Sequence, residues 1–466
     1  MILKNAKIYA DGLIRKGALL IKNGIIKSVI FNPSIEQYDN IIKQNDNGKE
    51  IDCENKLIIP GIIDIHSHLR DMDQSEKETF LTGTKAAAFS GITTVFNMPN
   101  TKPPAITADQ VKYWMDKAQH NIFVDVGFIA GVPKEINPEE MKKIIDLGVL
   151  GFKIYPLNPL NGLDWTNDNN IQLILDFSSK YQIPIFIHPD WPLSENEKAQ
   201  IYQKAILKNY KILKIHNNLY PILMETKFVK FIIKHYKEYI NNNNLTPENY
   251  PIVHFCHISC KDSYIVIKEA LEMGSDLKIS FEVTPHHLLL SNKIDLINDN
   301  FGKVLPPLRD EMHSKYLFEQ LKKGDIPLIG TDHAPHMIEE KSRNYSDAPS
   351  GFPGFETYPL MLLDKVCQYE FSLENFVKVA SEQPAKQFNL KNKGYITEGY
   401  DADLLIVDKV SEYPINPQVF KTKAKFSPFE SHKTQIQIWK VFLRGEEINL
   451  EDSEPRGKII KRSYKV

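Results

Sequence analysis

Apolar and polar positions alternate along the first 30 residues, broken at Asp11-Gly12 and Asn23-Gly24. Those dipeptides are favoured in tight hairpin turns, so the chain opens as short β-strands. After a polar segment, "NPSIEQYDNIIKQNDNGKEID", the pattern changes. Eight apolar runs follow, ending near His66, Asn100, Ala130, Tyr155, His188, Ser259, Leu290 and His336. Amphipathic stretches separate most of them, such as "TADQVKYWMDKAQH" and "PEEMKKIIDLG", the second closing at Gly148 where a helix end prefers glycine. Eight strand-helix alternations predict a (β/α)8 TIM barrel over residues 57–389, with functional side chains at the C-terminal ends of the strands. Between His188 and "PIVHFCHIS" the spacing predicts two helices and a mobile turn at "INNNN". Beyond residue 390 the alternation returns in "GYITEGYDADLLIVDKV" and "IQIWKVFLRGEEI". Residues 1–56 and 390–466 are therefore expected to pair as one small β-sandwich domain.

Composition changes this picture little. Of 466 residues, 42% are hydrophobic and 25% charged, and the net charge of -2 gives no footing for a nucleic-acid or anionic-membrane partner. The N-terminus lacks the pattern of a secretory signal, and no apolar run reaches about 18 residues, so a soluble, cytoplasmic protein is expected. Cys53, Cys256, Cys260 and Cys367 are too few and too irregular for a disulfide framework and read as reduced thiols. Cys256 and Cys260 flank His257, but the second closely spaced cluster of a structural zinc site is absent.

The chemistry gathers at the strand ends. In "DIHSHLR", His66, His68 and Arg70 fall at alternate positions and share a face of the first barrel strand. The fourth run offers Lys153, the fifth His188, the sixth His254 and His257, and the eighth Asp332. Taken singly, a histidine reads more readily as a hydrogen-bonded rim residue, but four strands offering such groups at one mouth suit a divalent transition metal. Lys153 has two readings: a solvent-reaching or substrate-clamping side chain, or a neutral amine that takes up carbon dioxide to become an anionic, metal-bridging carbamate.

The segments "DIHSHLR", "NMPNT", "GFKIY", "FIHPD", "CHIS", "EVTPHHL", "PPLRD" and "GTDHAPH" stand in the order seen in dihydroorotases of the amidohydrolase superfamily, which the chain resembles over nearly its whole length. The resemblance implies two zinc ions per chain. His66 and His68 would bind one, His188 and His257 the other, carboxylated Lys153 would bridge them, and Asp332 would complete the first. It further implies hydrolysis and closure of a cyclic amide by a metal-activated water, with Asp332 as the catalytic proton carrier. Arg70, Asn100 and His336 would grip the carboxylate of a small-molecule substrate, and Ser350 and Gly351 would add backbone contacts. A homo-oligomer is left open. The resemblance also matches Glu225 to a family glutamate; Asp64 reads as an acceptor for a ligand imidazole or an interior carboxylate, and His254, His286 and His287 as packing or supporting residues. Two departures stand out: "DMDQ" at residues 71–74, where the family has a Glu-Pro-Gly turn, and Leu305, where many members place asparagine. Hydantoinase, allantoinase and an inactive scaffold are the competing readings.

Overall fold

The computed structural model describes residues 1–44, 48–274, 276–430, 432–451 and 454–462. The opening strands are β1 (Ile2–Ala10), β2 (Leu13–Lys22), β3 (Ile25–Phe31), β4 (Glu50–Asp52) and β5 (Leu57–Pro60). At both hairpin turns the two central residues have positive φ (Asp11 51°, Gly12 75°; Asn23 55°, Gly24 80°), the left-handed geometry for which Asp-Gly and Asn-Gly are suited.

The barrel consists of β6 (Ile62–Ser67), β7 (Ile92–Asn97), β8 (Asp125–Gly131), β9 (Gly151–Ile154), β10 (Pro184–Ile187), β11 (Ile252–Phe255), β12 (Ile279–Val283) and β13 (Leu328–Ile329). Each pairs in parallel with the next, and a parallel bridge between Ser67 and His333 joins the last to the first. The predicted TIM barrel is therefore present. Its start differs from the expected residue 57, because the apolar run from Leu57 is two strands. β5 pairs with β1 and with β14 (Leu404–Pro414) of the small sheet, and only β6 enters the barrel. The switch occurs at Gly61, whose N–H donates to Asp403 O (2.8 Å) and where a Cβ would sit 2.3 Å from Thr93 Oγ1. Only glycine fits so close an approach.

Two other expectations are corrected. The seventh run does not continue as strand to Leu290: β12 stops at Val283, Thr284 caps the following turn with Pro285 at its first position, and Pro285–Leu289 is helical. Between His188 and β11 there are three α-helices, Glu195–Leu207, Ile212–Leu219 and Ile222–Asn242, and a 3-10 turn, Pro247–Asn249; most of "INNNN" lies inside the third α-helix.

β14 and β15 (Lys433–Leu443), with β16 (Glu446–Glu447), complete the small sheet in the order β16-β15-β14-β5-β1-β2-β3, while β4 pairs with β1. The two-layered domain is one sheet folded over itself: Leu19, Ile21 and Ile26 share a buried cluster with Ile406 and Phe442, and Ile25 bridges Asp401. The C-terminal segment is not wholly part of it, contrary to the expected 390–466 boundary. β17 (Ile459–Ile460) runs back to pair in parallel with Val126 and Gly127 at the start of β8. β9 begins too late to occupy that edge, pairing β8 only from Ile129, so the tail supplies the missing hydrogen-bond partners. Beside it, Lys393 Nζ meets Asp125 (2.8 Å) and Asp403 (2.5 Å), and Arg444 meets Asp125 (2.7 Å), tying the small sheet to the barrel. Among the described residues no helix is long and apolar enough to cross a membrane.

Candidate active site

A cavity of about 330 Å³ opens at the C-terminal ends of the barrel strands, lined among others by His66, His68, His188, His257 and Asp332. These side chains come from the ends of β6, β10, β11 and β13, where strand gives way to loop. Three site residues hold left-handed backbone, Arg70 (φ 56°), His257 (37°) and Asp332 (49°), strain of a kind that concentrates where side chains must be aimed.

Asp332 Oδ1 lies 2.9 Å from His68 Nε2 and 3.4 Å from His66 Nε2. Burial alone would push the Asp332 carboxyl up, but His66 and His68 outweigh it and hold it well below the usual carboxylate range. Burial pushes His68 down to about 4. For His66, burial and Lys153 oppose a proton, yet Glu282, Cys256 and Asp332 prevail and raise it to about 10. The anionic neighbours Glu282 and Asp332 would also favour a cation beside this imidazole.

On the other side, His188 Nδ1 and His257 Nε2 are 3.1 Å apart. Two nitrogens at about 2.0–2.1 Å from one tetrahedral ion lie roughly 3.3 Å apart, so this pair is spaced to share an ion. Asp190, which burial pushes up, sits 3.5 Å from His188 Nε2, behind the imidazole. Buried His188 Nε2 and His257 Nδ1 have no hydrogen-bond partner. His66, His68 and Asp332 each offer one ligand atom within 4.8 Å of the others. The donor set therefore fits metal.

Lys153 is fully buried behind this wall, its Nζ 2.8 Å from Cys256 Sγ and its charge bearing on both His66 and His257. Cys256 also falls within 4.8 Å of ligand atoms of His66 and Glu282, a closer involvement than its reading as a plain thiol.

Glu282 was absent from the sequence-derived site. Its carboxylate accepts from His66 Nδ1, from His254 Nε2 (3.2 Å) and from the His257 amide (3.3 Å). The first bond fixes the tautomer that leaves His66 Nε2 free as a ligand, and Asn100 Oδ1, 2.5 Å from His68 Nδ1, does the same for His68. The available signal was a glutamate inside the apolar run "ISFEV". Asp64 touches no ligand imidazole; it accepts from the amides of His66 (3.2 Å) and Thr331 (2.9 Å), tying β6 to the segment before Asp332. Glu225 is fully buried and pairs with Arg309 (3.0 Å), bracing the turn after His257 through the Ser259 amide (3.2 Å). His287 is spent on Thr284 and Pro306 O, and His286 packs on Phe352. Asp71 and Gln74 form a short bridge, so "DMDQ" is a compact turn.

In the same cavity Arg70 Nη2 lies 3.2 Å from His336 Nε2, which is 3.1 Å from Ser350 O. Asn100, Leu305, Ser350 and Gly351 line the same cavity. The Gly351 amide is engaged with Lys303 O (2.9 Å), so it is not free for an expected backbone contact.

The Amidohydrolase family profile matches residues 57–445. The chain belongs to the amidohydrolase family. Within it, the chain is 34% identical to a dihydroorotase of Pyrococcus abyssi over 454 residues, 97% of this chain and 95% of that one. It is 33% identical to a dihydroorotase of Methanosphaera stadtmanae over 92% of each. Among solved structures, an L-hydantoinase (dihydropyrimidinase) from Arthrobacter aurescens superposes with a TM-score of 0.84 at 26% identity, covering 99% of both chains. A D-hydantoinase from Thermus sp. superposes with 0.83 at 23% identity, which speaks to the fold alone. In this amidohydrolase the buried histidines and carboxylates at the barrel mouth are the groups that could bind metal.

Proposed function

We propose that the chain is a dihydroorotase, which hydrolyses dihydroorotate to N-carbamoyl-L-aspartate and closes it again. The observation that carries this reading is that Arg70 and His336, 3.2 Å apart and suited to a carboxylate, line the same cavity as His66, His68, His188, His257 and Asp332. The names of the relatives in Pyrococcus and Methanosphaera support it.

Two zinc ions per chain would be held by His66, His68 and Asp332 and by His188 and His257, with Lys153, as a carbamate, serving both. The place of Lys153, buried and bearing on both His66 and His257, supports the last assignment; carboxylation joins carbon dioxide to its amine and releases one proton. When bound, such ions acidify a water and polarise the ring amide carbonyl. Asp332 then takes the proton of the attacking water and delivers it to the leaving ring nitrogen. Arg70, with a planar fork suited to a carboxylate, and Asn100 and His336 orient the ring, while Leu305 gives it an apolar neighbour.

The hydantoinase fold match keeps a neutral cyclic amide as the second reading. The test is to incubate zinc-loaded protein separately with dihydroorotate, hydantoin and allantoin. Turnover of dihydroorotate in preference to both neutral rings is expected, and turnover of a neutral ring alone rejects the assignment.

A further inference from the structure

The loop bearing Ser350 and Gly351 hangs from two buried lysines for which the chemistry above has no use. Lys341 is fully buried, and its Nζ donates to the carbonyls of Lys303 (3.1 Å), Pro349 (3.0 Å) and Gly351 (2.9 Å). Lys303 Nζ, also buried, donates to the carbonyls of Tyr345 (2.7 Å) and Ala348 (2.5 Å). Among the described residues neither ammonium has a carboxylate within ion-pair distance. Burial disfavours the charge on Lys341 and pushes its amine well below the ordinary range. Three carbonyl acceptors, however, call for three N–H donors, which only the ammonium possesses. A buried cation without a counter-ion is expensive, and it persists where something else makes use of it.

The loop's outer edge is pinned differently. Tyr345 stacks on Tyr202 (5.8 Å between centroids) and its hydroxyl meets His216 Nδ1 (2.8 Å), while His216 Nε2 meets Val304 O (2.7 Å). Lys303 reaches this outer edge too, its Nζ lying 4.3 Å from the centre of the Tyr345 ring, whereas the contacts of Lys341 fall at the inner end of the loop. What Lys341 fixes is the inner edge, where His336 Nε2 donates to Ser350 O (3.1 Å) and the Arg70 guanidinium lies beside the ring (3.2 Å).

We propose that Lys341, backed by Lys303, is a positioning residue for an anionic ring: it holds the Ser350–Gly351 turn against His336, so that Arg70 and His336 form a ready-made carboxylate seat, and its unpaired charge favours a carboxylated substrate over a neutral one. The inference rests on the dihydroorotase reading.

Lys341→Met keeps the length and removes both charge and donors. Its KM for dihydroorotate should rise about tenfold with kcat and zinc content within about threefold, the pattern of lost binding rather than lost chemistry. Its preference for dihydroorotate over 5,6-dihydrouracil, which lacks the carboxylate, should fall by a similar factor, and Lys341→Arg should recover part of both. An unchanged KM, an equal rise for both rings, or a fall in zinc content that accounts for the lost activity overturns the proposal. If Lys341→Met does not fold, Lys303→Met is the second variant: a KM raised for dihydroorotate only supports the proposal, and an unchanged KM overturns it. If the wild type does not turn over dihydroorotate, it is the reaction assignment that fails. The staple is then read without substrate: amide exchange at residues 350–352 accelerates at least tenfold in Lys341→Arg or Lys303→Met if the lysines hold the turn, and is unchanged if they do not.

Discussion

Replacing Glu282 by glutamine tests whether the carboxylate behind His66 sets metal affinity. The glutamate has no solvent exposure, and its two oxygens serve two imidazoles and one amide. Burial opposes its ionisation, but His66 and His254 outweigh burial and hold it well below the usual carboxylate range, so its charge faces both rings at any working pH. Glutamine preserves the volume and can still accept from one ring, so no cavity forms. What disappears is the negative charge that polarises His66 and locks its Nδ1 proton. Losing such a partner typically weakens metal binding about 10–100-fold, which is roughly 1.4–2.7 kcal/mol. The metal-free protein should also lose on the order of 1.5–3 kcal/mol through a charge-assisted hydrogen bond. Competition against a chromogenic chelator reads the zinc affinity, and kcat at saturating zinc should recover to within about threefold of wild type. Zinc affinity unchanged within about twofold, or activity lost at full zinc occupancy, would refute the reasoning.

Lys153→Ala should lower zinc from two ions per chain to one or fewer by elemental analysis; an active variant with both ions contradicts the carbamate. Breaking the buried Arg309–Glu225 pair with Arg309→Met leaves Glu225 unpaired and should cost about 3–5 kcal/mol in urea unfolding. A loss below about 1 kcal/mol would mean that water or relaxation relieves that charge. At Asp125, burial alone would raise the carboxyl, but Lys393 and Arg444 hold it below its ordinary value. A depressed carboxyl contributes stability that is complete above its unfolded pKa of about 3.9 and is lost as pH falls through the folded value. The raised Lys393 contributes fully below about 10.4 and loses its share as pH rises through its folded value. The stability gap between wild type and Lys393→Met should therefore be flat from about pH 5 to 9 and narrow below about pH 4. A gap that does not change with acid would refute the pairing.

Much of the site is readable before folding because barrel geometry converts strand ends into a common rim. His66, His188, His257 and Asp332 each sit where an apolar run stops, so the pattern that predicts strands also predicts their convergence. Pairings within the rim are another matter. Asp64 is two residues from His66 and looked the nearer candidate to back it, whereas Glu282, from β12, makes the contact. Local spacing cannot rank two carboxylates whose distances are set by the closure of the barrel. The fold shows the same limit. "LIIPGII" is apolar throughout because both its halves are buried, so periodicity gives no sign that Pro60 and Ile62 belong to different sheets. β17 is two residues long, too short to carry a period at all.

The position of β5, between β1 and β14, has a consequence for synthesis. One border of β5 is completed by Leu404–Val407, and ribosomes add about 5–20 residues per second, so that border stays open for roughly 20–70 s after Pro60 is made. An open apolar border invites mispairing with any extended segment nearby. Recovery of native protein from a cell should thus depend on shielding the nascent N-terminal hairpins, and slower translation without such shielding should lower the yield.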